Sequence, residues 1–230
     1  MSDESTKTKQ VRSQDFVDKY LTGKVIDIGG GNDPVVPSAE VFDLNDGDAQ
    51  FILNYREKES YDCVHSSHCL EHMADVPNAI SQWWGLVKQG GFMIIVVPHE
   101  DLYEQKKWPP IFNTDHKATF RINQTKTWSP VSYDIFELLQ GLPNANIVES
   151  GIHDLNYDYN LQFKSFNKPA RRLYKWAHSQ KRLKRPIANI IYNFLYPYWY
   201  KNSENVNGQP IDQTSGDALA QIQIVIQKIP

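Results

Sequence analysis

Lys24-Val25-Ile26-Asp27-Ile28-Gly29-Gly30-Gly31-Asn32-Asp33-Pro34 reads as a buried strand that runs straight into a glycine turn. Val25, Ile26 and Ile28 are apolar and β-branched, which suits a parallel strand covered on both faces. Three successive residues without Cβ let a ligand come close to the backbone, let the chain reach positive φ, and let N–H groups point at a polar ligand. A glycine cluster alone is equally an ordinary tight turn, so the flanking chain has to decide between the two.

Working outward, Ser13–Leu21 has Phe16, Val17, Tyr20 and Leu21 at helical spacing behind a capping Ser13. Beyond the glycines, residues 39–44 read as a second strand ending in Asp43, after a link too short for a full crossover helix. The expectation is therefore a trimmed doubly wound sheet. Residues 49–53 read as a third strand with Asn54 just past its end, and Tyr61–Ser67 as a fourth. A helix is expected from Val76 to Lys88, with Ile80, Trp83, Trp84 and Val87 on one face and Gly90-Gly91 as its stop. Phe92–Val97 is a continuous apolar run, the mark of a doubly buried strand. Tyr133–Gln140 reads as a helix ended by Gly141, Ala145–His153 as a strand, and residues 218–228 as an alternating terminal strand. Strands alternating with helices define an α/β fold with a mostly parallel sheet.

The totals narrow the function class. A chain of 230 residues, 40% hydrophobic and 22% charged, fits one domain over 1–230 with a sizeable core. The formal charge of −3 makes no overall case for a nucleic-acid partner. The two cysteines, Cys63 and Cys69, lack metal spacing and lie in apolar segments, which points to reduced thiols and a cytoplasmic setting. Residues 1–10 are polar, do not resemble a secretory signal, and are expected to lack order. No run is long and apolar enough to span a bilayer.

Three stretches in order, Val25–Gly31, Tyr61–His72 and Leu86–Pro98, with Asp43 between the first two, resemble class I S-adenosylmethionine-dependent methyltransferases of the small Rossmann-like type. A dinucleotide site would need a helix where Pro34 and Pro37 interrupt the chain. The resemblance implies a seven-stranded, mostly parallel sheet with helices on both faces, and S-adenosyl-L-methionine as cofactor. It implies that Gly29, Gly30 and Gly31 bring the backbone to the methionine part of the cofactor. Asp27 would orient that loop or accept from the ammonium, and Asp43 would take the ribose hydroxyls, as an acidic residue does in dinucleotide folds. Leu44 would pack on the adenine, the Asn54 amide would meet its edge, and Ser66 and Ser67 would close the fourth strand beside it. His72 reads as a local structural hydrogen-bonder.

Methyl transfer from a sulfonium needs an in-line nucleophile and, for a hydroxyl acceptor, a group to take its proton. Pro98-His99-Glu100-Asp101 leaves the fifth strand at its carboxyl end, and Asn113–Lys117 lies in the same stretch, so residues 99–130 read as the acceptor loop. His99 or His116 is a candidate base, oriented by Glu100, Asp101 or Asp115. His99, Asp101, Asp115 and His116 can also hold a divalent ion, but residue content alone assigns no metal. The Pro-His and Asp-His-Lys elements resemble methyltransferases of bacterial sugar and surface-polysaccharide modification, which implies a sugar, glycan or glycolipid acceptor and O-methylation.

Residues 164–203 read as a helical insertion before the last strand, broken near Pro186. Lys168, Arg171, Arg172, Lys175, Lys181, Arg182, Lys184 and Arg185 crowd together without an acidic residue, and an aromatic stretch follows to Tyr200. This composition suits an anionic glycan, peripheral contact with an anionic membrane surface, or RNA. It equally suits a cap in which Trp176, Phe194 and Trp199 pack on the core. A small-metabolite methyltransferase and a non-catalytic Rossmann-like binding module are the competing functional readings.

Overall fold

The structure, a computed structural model, describes residues 4–163, 190, 191, 194 and 210–230. The chain divides into two compact units, Met1–Tyr157 with Gln213–Pro230, and Asp158–Asp212. The insertion expected over 164–203 falls in the second unit and, apart from the exposed helical residues 190, 191 and 194, lies outside the described residues.

The first unit is built on a six-stranded sheet of order β2-β1-β3-β4-β8-β7. Its strands are β1 (Val25–Ile28), β2 (Glu40–Phe42), β3 (Tyr61–Ser67), β4 (Val87–Pro98), β7 (Ala145–His153) and β8 (Gln221–Lys228). The pairs β2/β1, β1/β3 and β3/β4 are parallel, whereas β8 runs antiparallel to both β4 and β7. Alternation along the strands separates two cores. Ile26, Ile28, Val64, Met93 and Ile95 face α3 (Val76–Leu86) and α4 (Ile135–Gln140). Val25, Cys63 and Ile94 face Phe16, Tyr20 and Leu21 of α2 (Gln14–Tyr20) and its cap. The α/β class, the largely parallel sheet and the helices on both faces agree with the sequence reading, and no helix occupies residues 29–39 between β1 and β2.

The sheet has six strands rather than seven because residues 49–53 are not a strand. Ala49–Asn54 is a 3-10 helix, started by Asp48, whose side chain accepts from the Gln50 N–H. Ile52 is buried while Phe51 is exposed, and the segment is pinned to α3 by bonds from Trp83 Nε1 to the Ala49 carbonyl and from the Leu53 N–H to Gln82 Oε1. One buried face and side-chain partners on a helix leave no sheet edge to pair with.

α3 begins as expected, capped by Asp75 on the Asn78 N–H, but ends at Leu86. Val87 already pairs with Tyr61, and the register then jumps to Cys63 with Phe92, so Lys88–Gly91 bulges out of β4. Gly90, at φ +79°, turns this bulge and does not cap the helix. Residues 4–9, expected to lack order, form α1 (Glu4–Lys9). Lys7 and Thr8 are buried there, with Lys7 Nζ bonded to the Thr214 carbonyl and Thr8 Oγ1 exchanging bonds with the Gln221 amide.

The long segment after β4 is also more regular than its sequence suggests. Glu100–Glu104 forms a π-helical turn, and β5 (Thr119–Arg121) pairs with β6 (Ser132–Asp134). Buried Glu100 ties these pieces together, its Oε2 accepting from the hydroxyls of Thr119, Thr127 and Ser132. Among the described residues, no helix is long and apolar enough to cross a membrane.

Candidate active site

The carboxyl ends of β1, β2 and β3 meet at one edge of the sheet, where ligands of open α/β folds bind. A cleft of about 320 Å³ lies there. Gly29, Asp43 and Leu44 form one side, His68, Cys69 and His72 the other, and Asp115 closes the wall from the segment after β4.

The glycine turn is held from beneath by a buried polar relay. β1 and β3 are in a register that pairs Asp27 with His65, so the two side chains share a face, with His65 Nδ1 2.6 Å from Asp27 Oδ1. Asp27 Oδ2 accepts from the Val35 N–H at 2.6 Å, and Arg12 Nη2 lies 3.0 Å from His65 Nε2. An arginine can only donate, so Nε2 is the acceptor and Nδ1–H donates to an ionised Asp27. Burial favours the neutral form of each group. It leaves His65 below its ordinary value and therefore neutral, and lowers Arg12 to about 10, which is still charged. For Asp27 the burial effect is outweighed by His65, the Val35 N–H and Arg12, which hold it below the ordinary carboxylate value.

Asp27 is thus fully engaged inside the protein and orients the loop. A Cβ on Gly30 would lie 2.6 Å from Asp27 Oδ2. Gly30→Ala is therefore expected to cost about 1–3 kcal/mol in overpacking, read as a lower urea midpoint; an unchanged midpoint would show that the loop has slack. Gly29, at φ +80°, packs against Cys69, where a Cβ would meet the Cys69 Cβ at 2.8 Å.

Asp43 follows β2 with Oδ1 accepting the Leu44 N–H at 2.7 Å, and its Oδ2 lies 3.7 Å from where a Gly31 Cβ would be. Leu44 stands 90% exposed at the rim, an apolar side chain offered to the cleft. Asn54 ends the 3-10 helix, is exposed, and does not line the cleft, where Asp48 and Ala49 stand instead. Ser66 is buried and donates to the Ile28 carbonyl, and Ser67 Oγ is buried without a hydrogen-bond partner; neither lines the cleft. The positions after them do. His68 takes the left-handed conformation (φ +53°), which turns the chain so that Cys69 meets Gly29. Burial, then the charges of Glu71 and Asp43, push the Cys69 thiol up to about 12, so it is no nucleophile.

The expected bases separate clearly. His99 is buried, its Nδ1 accepts the Asp101 N–H, and burial lowers its pKa despite Asp101 and Glu100. It is a neutral cap of the π-helical turn, and Asp101 Oδ1 accepts from Trp128 Nε1. His116 and Asp115 instead join a cluster absent from the sequence reading. The Glu71 carbonyl accepts the N–H groups of Lys117 and Ala118, which staples this segment to the turn Leu70–His72. His72 Nδ1 bonds Asp115 Oδ2 at 2.9 Å and His116 Nδ1 bonds Glu104 Oε1 at 2.6 Å. The two rings meet edge to face at 5.0 Å, with Tyr103 stacked on His116. Burial opposes ionised Glu71, but His68, His116 and His72 keep its pKa below the ordinary value.

Among solved structures the chain is similar to an S-adenosylmethionine-dependent methyltransferase from Archaeoglobus fulgidus, at 14% identity, with 98% of this chain and 94% of that one covered and a TM-score of 0.48. It is also similar to the YcgJ protein from Bacillus subtilis, at 13% identity, 92% and 94% coverage and a TM-score of 0.48. No curated protein matches it. The family model described as a methyltransferase domain matches residues 8–128. That span takes in the relay, the glycine turn, Asp43 and the Glu71–His116 cluster, and the chain belongs to this family, the S-adenosylmethionine-dependent methyltransferases of the Rossmann-like class.

Proposed function

We propose that this methyltransferase transfers the methyl group to a hydroxyl of a sugar or glycan. The observation that carries the reading is the joining, in one cleft, of the glycine turn and Asp43 with the His72–Asp115 wall. When bound, S-adenosylmethionine supplies an electrophilic methyl group on sulfur. Gly29 and Gly31 offer backbone free of side chains to its amino-acid part, Asp43 accepts from its ribose hydroxyls, and Leu44 covers its base. Asp27, Gly30 and Ser66 hold the shape of the loop and the strand end from within. The acceptor hydroxyl lies against His72 and Asp115, with buried Glu71 and His116 behind them, and its proton is lost there. A wall of imidazoles and carboxylates suits a polar acceptor that must be deprotonated, and also suits binding of neighbouring hydroxyls.

The setting we infer is cytoplasmic, with the basic and aromatic residues 168–200 as the contact for a glycolipid acceptor at the inner membrane face, as in surface-polysaccharide synthesis. Incubation with labelled cofactor and a panel of sugar acceptors tests the acceptor class. Label incorporated only into small non-sugar metabolites would overturn it. For the cofactor side, Asp43→Ala is expected to weaken S-adenosylhomocysteine by about 1.5–3 kcal/mol, roughly ten- to hundredfold, in calorimetry; an unchanged Kd would remove Asp43 from the ribose.

A further inference from the structure

We propose that Glu71, His72 and His116 form a divalent-cation centre at the edge of the cofactor cleft, open toward the acceptor. One ligand atom from each of the three lies within 4.8 Å of the others. Both oxygens of Glu71 are buried and have no hydrogen-bond partner. His68 Nδ1 and His116 Nε2 approach Oε1 at 3.5 and 3.9 Å, too far for bonds of ordinary length. A buried carboxylate left in this state is costly, and a cation among the three groups would satisfy it directly.

The surroundings have the form that metal-binding imidazoles require. Each ring gives its Nδ1 to a carboxylate, His116 to Glu104 and His72 to Asp115, which leaves Nε2 in each as the ligating nitrogen. Such outer carboxylates fix the tautomer and raise ligand basicity. Both rings are thus held before any ion arrives, and the cluster reaches the cleft through His72, which lines it beside Asp115. Two imidazoles and one carboxylate suit a borderline cation such as Zn²⁺ better than the harder, oxygen-preferring Mg²⁺, Ca²⁺ or Mn²⁺. An ion there would lower the pKa of a hydroxyl bound at its open position, so that the O–H bond breaks with the proton passing to water. That use of the ion rests on the acceptor reading above; binding of the ion does not.

The test is titration of chelator-stripped protein with Zn²⁺ and, separately, Mn²⁺ by calorimetry, with bound metal counted after dialysis. One equivalent of at least one ion is expected. Glu104→Gln should weaken it roughly ten- to hundredfold through orientation. Glu71→Gln, which keeps the shape, and His72→Ala, a partly exposed position, should each weaken it further. Failure of both ions to bind stoichiometrically, or unchanged affinity in Glu71→Gln and His72→Ala, would overturn the proposal. S-adenosylhomocysteine is titrated in parallel. Its binding without that of either ion would leave methyl transfer intact and remove the metal centre, and the converse would do the opposite.

Discussion

Asp27→Ala is expected to lower the unfolding free energy by about 3–5 kcal/mol, the usual cost of removing one partner from a buried charge pair. Arg12 and His65 would stay buried, the Arg12 charge would lose its counter-ion, and the Val35 N–H would lose its acceptor. The glycine turn would lose its support at the same time, so S-adenosylhomocysteine affinity should fall with stability. The same relay sets a pH dependence in the wild type. His65 has a folded pKa below its ordinary 6.5, and Asp27 has one below its ordinary 3.8. For both groups the stabilisation is complete above the ordinary value and is lost as pH falls. Stability should therefore decline first below about pH 6.5 as His65 is forced to charge, and again below about pH 4 as Asp27 is protonated. Urea melts across pH 4–8, on the wild type and Asp27→Ala, would check this. A flat wild-type profile between pH 7 and 5, with an unshifted midpoint in the variant, would contradict it.

His72→Ala is expected to reduce turnover by about 10²–10⁴-fold, the range for losing help with the acceptor's proton, whether its Nε2 takes that proton or holds an ion that acidifies the hydroxyl, while the Kd of S-adenosylhomocysteine moves far less. His116→Ala should lose turnover similarly, because its ring and Glu71 belong to the same cluster. The informative contrast is His99→Ala. Its ring caps a π-helical turn, so the expected loss is one of stability, about 0.5–2 kcal/mol for a cap, with kcat/KM nearly retained. Turnover that survived in His72→Ala and collapsed in His99→Ala would move the proton-handling site to the Pro98 end of β4. Variants should be compared at equal folded fraction, since His116 is buried and its removal also leaves a cavity.

The elements whose signals are local were legible in the chain. β1, β3, β7 and the buried half of β4 announce themselves by apolar runs or alternation, and Gly29 and Gly31 do take positive φ. Where the reading departed from the structure, a local signal had two physical solutions. Residues 49–53 are apolar enough for a strand, but bonds from Trp83 and to Gln82 on α3 turn them into a 3-10 helix. Gly90-Gly91 looks like a helix stop, and serves as a bulge because Val87 is already paired with Tyr61. Polar residues 4–9 look unstructured, yet Lys7 and Thr8 find partners at Thr214 and Gln221, beyond the reach of any local pattern.

The site divides in the same way. The family was legible in the chain, as was the nearness of the glycine turn to Asp43, because strand, turn and carboxylate are contiguous or nearly so. Where each histidine sits, and what it bonds, came from the folded chain alone. His99 and His116 are equivalent as sequence signals, and burial and partners separate them, one spent on capping a turn and the other held by Glu104 against Glu71. His72, which looked structural, gained a place in the cleft through Asp115, 43 residues away. A hydrogen bond depends on distances of a few ångströms between groups that can be far apart in the chain. Those distances are set by the sheet register and by the backbone bonds from Lys117 and Ala118 to Glu71, which no residue type encodes alone.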